Sequence, residues 1–292
     1  MLRVVLPKGS LEQATMELFT AADLAVQRSM AVDYRATIDD PRIAEVRILR
    51  PQEIPIYIAE GTFDLGITGR DWIEEQGAKV HSLGRLGYSK ATDQPIRIVL
   101  AVHADSPVRR AEDLPAGSRI STEYPNLTSA WLAERGIHAD VRLSYGATEA
   151  KVPEIADAVV ELTETGKALR AAGLRIIDVL LESYTELVAN PLAVADPVKA
   201  HAMDQLMTLL QGALEARGKV LVKLNVADGD LERVIEVLPS MKSPTVSQLF
   251  GPSGGYAIET VVPKTAINVL IPELRDRGAT DILELPLSKI VH

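Results

Sequence analysis

The segment ELTETGK (161–167) groups two carboxylates, two hydroxyls, a glycine and a lysine. A predicted strand ends at Glu161, and a short helix is predicted to begin at Lys167. Backbone N–H groups at such a helix start, together with the hydroxyls of Thr163 and Thr165 and the helix dipole, would hold a phosphate group. The Glu161 carboxylate would accept hydrogen bonds from sugar hydroxyls. On local features alone, an ordinary capped helix explains the same residues.

Cations and a glycine stand at two other predicted strand ends. Lys8 and Gly9 follow the first strand, and Ser10 after them is expected to cap a helix. Arg50 follows the predicted strand 46–49, with Arg35 upstream. Arginine holds phosphate groups through paired hydrogen bonds. Taken singly, each of these residues also fits a helix cap or a solvated surface position.

The segment DLGITG (64–69) offers a glycine-lined turn suited to the close approach of a flat ligand. A turn that serves only packing is the alternative. The segment resembles AVVELTETG (158–166), about ninety residues further along. Two similar strand-to-glycine turns predict two related lobes that face a cleft.

Composition disfavours several classes of protein. The 292 residues carry a net charge of −9 and only 4% aromatic residues, which argues against nucleic-acid binding. There is no cysteine, and the five histidines show no ligand spacing, so no transition-metal site is predicted. Since no signal peptide and no run of about 20 apolar residues is present, we expect a cytoplasmic protein without membrane contact.

The elements that must position these residues alternate as strand and helix through the first two hundred residues. This order predicts an α/β core with mostly parallel sheets. A long helix is predicted from Pro197 to Gly218, and the order β-α-β-β-α-β follows it, as in ferredoxin-like units. Residues 217–292 contain nine basic and nine acidic side chains and are neutral, so the negative charge lies before them. This shift supports a domain boundary near 217.

Several ordered motifs together resemble the ATP phosphoribosyltransferase family in its long form. They include LPKGSL, RPQEIPIYIAEGTFDLGITG, STEYPNLT, GATEAKVPEIADAVVELTETGKALRAAGL, LPSMKSPTVS and DILELPLSKI, and they span the chain. The resemblance implies a two-lobed core like that of type II periplasmic binding proteins. Lobe I would comprise residues 1–92 and 184–216, and lobe II residues 93–183. An ACT-like regulatory domain would occupy residues 217–292.

The family's reaction is the first committed step of histidine biosynthesis. The resemblance implies that N1 of ATP displaces pyrophosphate from C1 of phosphoribosyl pyrophosphate (PRPP), giving N1-(5-phosphoribosyl)-ATP and diphosphate. It also implies Mg²⁺, a homodimeric or homohexameric assembly, and feedback inhibition by L-histidine. The ligands of the metal are not identified by the sequence.

The resemblance also assigns roles to individual residues. PRPP would bind at Glu161, Thr163, Glu164, Thr165, Gly166 and Lys167. ATP would bind at Lys8, Gly9, Asp64, Gly66, Thr68 and Gly69. The catalytic cations would be Arg50, Arg35 and Lys8, and regulatory histidine would bind at Asn225, Ser243 and Thr245. The family commonly has aspartate at Glu161 and threonine at Ala168, so Ala168 is not assigned a role.

Two other functions have the same general layout. Prephenate dehydratases combine a two-lobed core with an ACT domain, but we find no Thr-Arg-Phe triplet of that family here. A solute receptor or effector-binding module would bind a ligand in the same cleft without turnover. Fold analogy alone does not separate these functions, because function depends on the site.

Overall fold

A seven-stranded sheet organises the first lobe. The computed structural model describes residues 1–30, 33–88, 95–239, 243–250 and 254–292. The first six strands are β1 (Leu2–Pro7), β2 (Val26–Gln27), β3 (Arg35–Ile38), β4 (Ile43–Leu49), β5 (Leu65–Gly69) and β6 (His81–Leu86). They are connected in part by α1 (Glu12–Ala21), α2 (Ile54–Ala59) and α3 (Arg70–Gln76). The central strand β1 is almost entirely apolar and buried, as expected where a sheet is covered on both faces.

A five-stranded sheet organises the second lobe. Its elements are β7 (Ile96–His103), β8 (Ser118–Thr122), α4 (Pro125–Glu134), β9 (Ala139–Leu143), β10 (Ala158–Thr163), α5 (Lys167–Ala171) and β11 (Leu174–Ser183). The strand order is β11-β7-β10-β8-β9. Alternate residues of β7 belong to different core clusters, with Ile98 and Leu100 in one and Val99 and Ala101 in the other. Apolar side chains therefore pack on both faces of this sheet.

The chain then returns to the first sheet as β12 (Thr185–Ala189), which lies between β5 and β6 and is antiparallel to both. The expected two-lobed α/β core is confirmed. The expectation of mostly parallel sheets is wrong in part. Strands β1, β4 and β5 pair in parallel, as do β8, β9 and β10, but β7, β11 and β12 pair antiparallel with their neighbours. Antiparallel pairing also involves β2, β3 and β6 of lobe I, so it is not confined to the strands that connect the two lobes.

Helices α6 (Pro191–Ala195) and α7 (Pro197–Ala216) follow, and the chain divides into compact units at Met1–Met207 and Thr208–His292. The second unit contains β13 (Lys219–Val226), α8 (Leu231–Ile235), β14 (Thr245–Gln248), β15 (Tyr256–Pro263), α9 (Ile267–Asp276) and β16 (Ala279–Pro286). Its antiparallel sheet has the order β14-β15-β13-β16. The expected ferredoxin-like unit is confirmed. Across the described ranges, no helix combines the length and apolar character needed to cross a membrane.

Candidate active site

A cavity of about 460 Å³ lies between the two lobes, and we call it the inter-lobe cavity. Its volume is within the range of small-molecule sites. Lobe I contributes Ser10, Leu11, Pro51, Gly69, Asp71, Trp72, Leu86, Tyr88, Tyr184 and Thr185. The second lobe contributes Ile96, Leu162, Thr163, Glu164, Thr165, Lys167, Ala168 and Ser183. A polar loop of one lobe therefore faces a largely apolar surface of the other.

The polar side is the loop that connects β10 to α5. Thr163 is buried, and its Oγ1 accepts a hydrogen bond from the N–H of Gly166 at 2.8 Å. That contact folds the loop into a tight turn, and Gly166 completes it at a φ of +71°, where glycine is favoured. The Thr163 hydroxyl keeps its own hydrogen to donate to an anion. The 163–167 loop thus brings four of the six predicted PRPP residues to the cavity, namely Thr163, Glu164, Thr165 and Lys167.

Glu161 does not line the cavity, and a hydrogen-bond network fixes its side chain. Burial raises the pKa of Glu161, and a hydrogen bond from the Thr148 side chain opposes the rise. The Thr148 hydroxyl lies 2.8 Å from Ser144 Oγ, which accepts from Lys151 Nζ at 2.5 Å. Ser144 and Thr148 are almost completely buried. The Glu161 carboxylate itself accepts the Leu162 N–H at 3.0 Å, and the 144–151 segment, which sequence reasoning did not assign, lies beside it.

At the end of β1, the expected helix cap is wrong. Helix α1 begins after Leu11 without a side-chain cap, so Ser10 does not cap it. Instead the Glu12 carboxylate accepts the N–H of Gly9 at 3.1 Å and pairs with Arg28 at 2.7 Å. Lys8 Nζ lies 4.1 Å from the centre of the Tyr34 ring. Ser10 and Leu11 line the cavity directly after Lys8 and Gly9.

The segment 64–69 is a strand rather than a turn. Residues 65–69 are all buried and form β5, so the backbone becomes free to turn only at Gly69, the residue that lines the cavity. Gly66 pairs with Val5 of β1, and a Cβ on it would lie 2.7 Å from Val5 Cγ1. Thr68 is buried and donates its hydroxyl to the Pro51 carbonyl at 2.9 Å. Gly66 and Thr68 therefore serve packing between strands and loops.

Asp64 lies just before β5, at the end opposite the cavity. It is buried, and its carboxylate pairs with Arg3 at 3.2 Å and with Lys199 at 2.9 Å. Burial alone would raise the pKa of Asp64, but the Arg3 side chain, the Arg3 backbone and Lys199 outweigh burial and hold it below its ordinary value. Five strand residues, roughly 16 Å, separate it from Gly69. The structure therefore corrects the assignment of Asp64 to the ATP site.

The two predicted catalytic arginines lie at different places. Arg50 is exposed and follows β4, one residue before the cavity-lining Pro51. Arg35 begins β3, where its Cα partner is Arg47, and it lines a separate surface depression with Arg28 and Thr37. The structure brings Arg50 to the edge of the inter-lobe cavity and does not bring Arg35 there.

Sequence reasoning missed the apolar side of the cavity. We call Leu11, Trp72, Leu86, Tyr88 and Tyr184 the apolar wall. The ring of Tyr184 also contacts the Arg85 guanidinium at 3.9 Å. These residues come from four separated segments, so no local pattern could have grouped them. The one available signal was that Trp72 and Tyr184 lie a few residues after predicted strands.

In the C-terminal unit, the residues that were predicted to bind L-histidine do not form one cluster. Asn225 lies on β13 and donates to Asp281 Oδ2 at 2.9 Å. Thr245 begins β14 and pairs with Glu259 of β15, whereas Asn225 pairs with Ala257. Two strand spacings, roughly 10 Å, therefore separate Asn225 from Thr245. Ser243 is exposed close to Thr245.

The carboxylate at the 163–167 loop suits a Mg²⁺ ion that is held mainly by the phosphates of a substrate. Among the residues with described positions, no three potential metal-ligating side chains converge. Mg²⁺ usually keeps several waters and is held by substrate phosphates with one or two carboxylates, not by a protein cage. Glu164 at the cavity fits a Mg²⁺ ion that enters on a substrate's phosphates.

The fold and the cavity define a class of protein: a two-lobed α/β protein whose inter-lobe cavity has the polar 163–167 loop across from an apolar wall, followed by a ferredoxin-like domain. The chain belongs to the ATP phosphoribosyltransferase family, which are pentosyltransferases of histidine biosynthesis. Residues 50–212 match the profile of ATP phosphoribosyltransferase, and residues 216–289 match the HisG C-terminal domain. Both parts are present, which is the long form of the family.

Full-length relatives and a solved structure agree with this membership. The chain is 48% identical to an ATP phosphoribosyltransferase of Desulforudis audaxviator and 46% identical to one of Koribacter versatilis, with 99% of each chain covered. A chain of the ATP phosphoribosyl transferase (HisG:HisZ) complex from Thermotoga maritima aligns with a TM-score of 0.63 at 25% identity. That alignment covers 74% of this chain and 99% of the Thermotoga chain.

Proposed function

We propose that the inter-lobe cavity binds ATP and PRPP and that the two substrates react there. The N1 lone pair of adenine attacks C1 of PRPP and forms the new C–N bond, while the C1–O bond breaks and its electron pair leaves with pyrophosphate. The observation that carries this proposal is the arrangement of the cavity, in which the 163–167 loop faces the apolar wall. Such a reaction requires mainly the alignment of two anions and stabilisation of the leaving group.

The 163–167 loop is the proposed binding site of the PRPP 5′-phosphate. Thr163 and Thr165 donate hydroxyl hydrogens, Gly166 keeps the loop tight enough to surround the anion, and Lys167 supplies positive charge. Glu161 accepts hydrogen bonds from the ribose hydroxyls, most strongly when it is ionised. Burial raises the pKa of Glu161, and hydrogen bonds from the Leu162 N–H and the Thr148 side chain oppose that rise and favour the ionised form.

The apolar wall is the proposed binding site of adenine. We propose that the adenine base stacks between Trp72 and Tyr184. The base would then be shielded from water and would face the 163–167 loop across the cavity. Gly69 at the end of β5 allows close approach, and Lys8 and Gly9 flank the wall at the end of β1. Asp64, Gly66 and Thr68 are withdrawn from the proposed ATP site.

Positive charge at the cavity edge is proposed to stabilise pyrophosphate as it leaves. Arg50 and Lys8 supply part of this charge, and Mg²⁺ enters as a substrate complex with the pyrophosphate. Arg35 lies beside a different depression, so its proposed contact with pyrophosphate has the least structural support of the three cations. The net charge of −9 does not oppose this proposal, because the local field at the site decides which ion binds.

The C-terminal unit is proposed to bind L-histidine and to inhibit turnover, and the chain is proposed to form homodimers or homohexamers. Asn225, with Asp281 beside it, and the separate pair Ser243 and Thr245 offer polar groups for a zwitterion. Leu283 and Leu285 of β16 are 55% and 37% exposed, which supports association through this sheet. Light scattering of the wild type and of Leu285→Lys tests that association.

Initial rates with ATP, PRPP and Mg²⁺ test the proposed reaction. Alkylation of adenine at N1 changes its ultraviolet absorbance, and added pyrophosphatase removes the product that reverses the reaction. We expect turnover that L-histidine suppresses. Turnover that is indifferent to histidine would support the reaction and contradict the proposed regulation. Ligand binding without turnover would instead support a receptor.

A further inference from the structure

Helix α3 of lobe I contacts lobe II through buried polar side chains. Asp71 Oδ2 accepts the Tyr124 hydroxyl at 2.9 Å, and Asp71 Oδ1 accepts Ser183 Oγ at 2.7 Å. The Asp71 N–H donates to Ser183 Oγ at 3.0 Å. Asp71 is 1% exposed and Tyr124 is 2% exposed. One carboxylate of lobe I thus holds two points of lobe II, one before α4 and one at the end of β11.

One turn further along α3, Glu75 supplies the N-terminal cap of a helix in the other lobe. Helix α4 begins after Tyr124, which makes no side-chain cap. The Glu75 carboxylate accepts the N–H of Asn126 at 3.2 Å and the N–H of Leu127 at 2.9 Å. The Asn126 side chain donates back to the Glu75 carbonyl at 3.1 Å. The first turn of α4 therefore depends on lobe I for hydrogen bonds that its own residues do not supply.

These contacts lie at the wall of the inter-lobe cavity. Asp71, Trp72 and Ser183 all line it, and the Trp72 ring stacks on the Tyr124 ring with centroids 4.6 Å apart. We call this set of contacts the α3–α4 junction. The junction lies beside the cavity. A change in the junction would therefore change the separation of the two lobes, and the substrates would bind between these lobes.

We propose that Asp71 and Glu75 are positioning residues, which hold lobe II at the distance from lobe I that aligns the two substrates for reaction. This inference rests on the proposed function. Each substrate contacts chiefly one lobe, so weakening the junction leaves binding to each lobe nearly intact and disturbs the alignment between them. Alignment contributes to the rate of a two-substrate displacement and is sensitive to small displacements.

Glu75→Gln tests the proposal with minimal change of shape. The amide presents an NH₂ group to one of the two N–H donors, so one cap contact becomes repulsive. We expect kcat to fall about tenfold while the KM values for ATP and PRPP change by less than about twofold. Glu74→Gln is the matched control, because Glu74 is partly exposed and pairs with Arg70 on the same helix. We expect that control to keep wild-type kinetics.

Tyr124→Phe removes only the hydroxyl and keeps the ring that stacks on Trp72. With Asp71→Asn, which replaces the charged acceptor by an amide, it forms a double-mutant cycle, in which the double variant should be no slower than the slower single variant, because both changes act on the same hydrogen bond. Tyr256→Phe, on β15 of the C-terminal unit, is the control. The chain contains two tryptophans, so a Trp131→Phe background isolates Trp72 fluorescence. Acrylamide should quench Trp72 about twice as efficiently in Glu75→Gln as in Glu74→Gln.

The outcomes separate this inference from the proposed function. If the wild type shows no turnover, the proposed function fails, while Trp72 quenching still reports whether the junction holds the lobes. If the wild type turns over and Glu75→Gln and Tyr124→Phe match their controls, the positioning role is wrong. A rise in KM at unchanged kcat would also overturn it. Thermal unfolding of each variant identifies a variant that fails to fold, and the milder Tyr124→Phe then decides.

Discussion

Glu161 shows how one side chain is oriented by residues that do not touch its ligand. The Lys151 ammonium can only donate, so Ser144 accepts from it. The Ser144 and Thr148 hydroxyls lie 2.8 Å apart, and a Ser144 hydroxyl that donates to Thr148 leaves the Thr148 hydrogen for Glu161. We propose that the hydrogen bonds run in this direction, from the cation to the carboxylate.

Thr148→Val should weaken this orientation without changing the size of the side chain. Valine removes the donor, so the Glu161 carboxylate loses both a partner and its preferred geometry. We expect the KM for PRPP to rise about tenfold, which corresponds to about 1.4 kcal/mol. Steady-state kinetics measure it, with Thr20→Val on the exposed side of α1 as the control. An unchanged KM would show that the network does not act on PRPP binding.

Arg50→Ala should lower kcat by at least about tenfold. A charge-assisted hydrogen bond to departing pyrophosphate contributes about 1.4 kcal/mol or more, and most of that gain arises in the transition state. Arg109→Ala removes an exposed arginine of lobe II and serves as the control. If both variants turn over at the wild-type rate, Arg50 leaves the catalytic set.

Gly166→Val should raise the KM for PRPP at least tenfold. A Cβ at Gly166 would lie 2.8 Å from Arg170 Nη1 and 3.3 Å from Ile176 Cδ1, so the Arg170 side chain, which donates to the Thr165 carbonyl, must shift, and the φ of +71° strains the 163–167 loop. Gly173→Val is the control, because Gly173 has a φ of +74° but open space around its Cβ position. Equal KM values in the two variants would mean that the loop only begins a helix.

At the scale of elements, Asp64 joins β1, β5 and α7 through Arg3 and Lys199. Asp64→Asn weakens both ion pairs, and we expect the free energy of unfolding at pH 7 to fall by about 2 kcal/mol. Because the folded pKa of Asp64 lies below its unfolded value, this stabilisation is present above about pH 4 and is lost as the pH falls through the folded pKa.

Urea unfolding at pH 7 and at pH 3 measures this difference. The wild type and Asp64→Asn should differ at pH 7 and become more alike at pH 3, where the wild-type carboxyl begins to take up a proton. Asp23→Asn, at an exposed residue just after α1, is the control. A difference that does not change with pH would assign the loss of stability to packing.

Much of the element order could be predicted from the sequence, but the ends of elements could not. The ferredoxin-like order and the strand before the 163–167 loop follow from hydrophobic pattern and glycine positions. The Ser10 cap and the turn at 64–69 were wrong, because α1 begins after Leu11 with the Glu12 carboxylate on the Gly9 N–H, and β12 pairs with β5 through residue 69. The first error lies within one turn of local sequence, whereas the second comes from pairing with a distant strand.

At the scale of the whole molecule, the site depends on residues far apart in the chain. The resemblance assigned the loop residues, which are consecutive, and left out Asp71 and Tyr124, which are 53 residues apart and meet only because two lobes fold against each other. A carboxylate in a helix gives no sequence signal that it will cap a helix in another lobe. Assignments within one loop are therefore predictable, while assignments across the cleft require coordinates.

The proposed inhibition by L-histidine belongs to this scale, because the proposed regulatory residues lie in the C-terminal unit. Asn225→Ala removes the hydrogen bond to Asp281 and should raise the histidine concentration for half-inhibition about tenfold, while turnover without histidine stays at the wild-type level. Inhibition curves measure both quantities. Ser247→Ala, on β14 next to the same sheet region, is the control. Identical curves for all three proteins would remove Asn225 from the regulatory set.

The placement of β12 between β5 and β6 has a consequence for how the chain folds during synthesis. Lobe I is built from two separate parts of the chain, and its sheet stays incomplete until residue 189 has left the ribosome. Lobe II is formed by a continuous stretch of the chain, so its sheet can form first. Until β12 is synthesised, about one hundred residues later, the edges of β5 and β6 that pair with it remain exposed. Such distant pairing slows folding and leaves apolar strands open to association. The nascent first lobe is therefore the stage at which unpaired strand edges of this chain are exposed for longest.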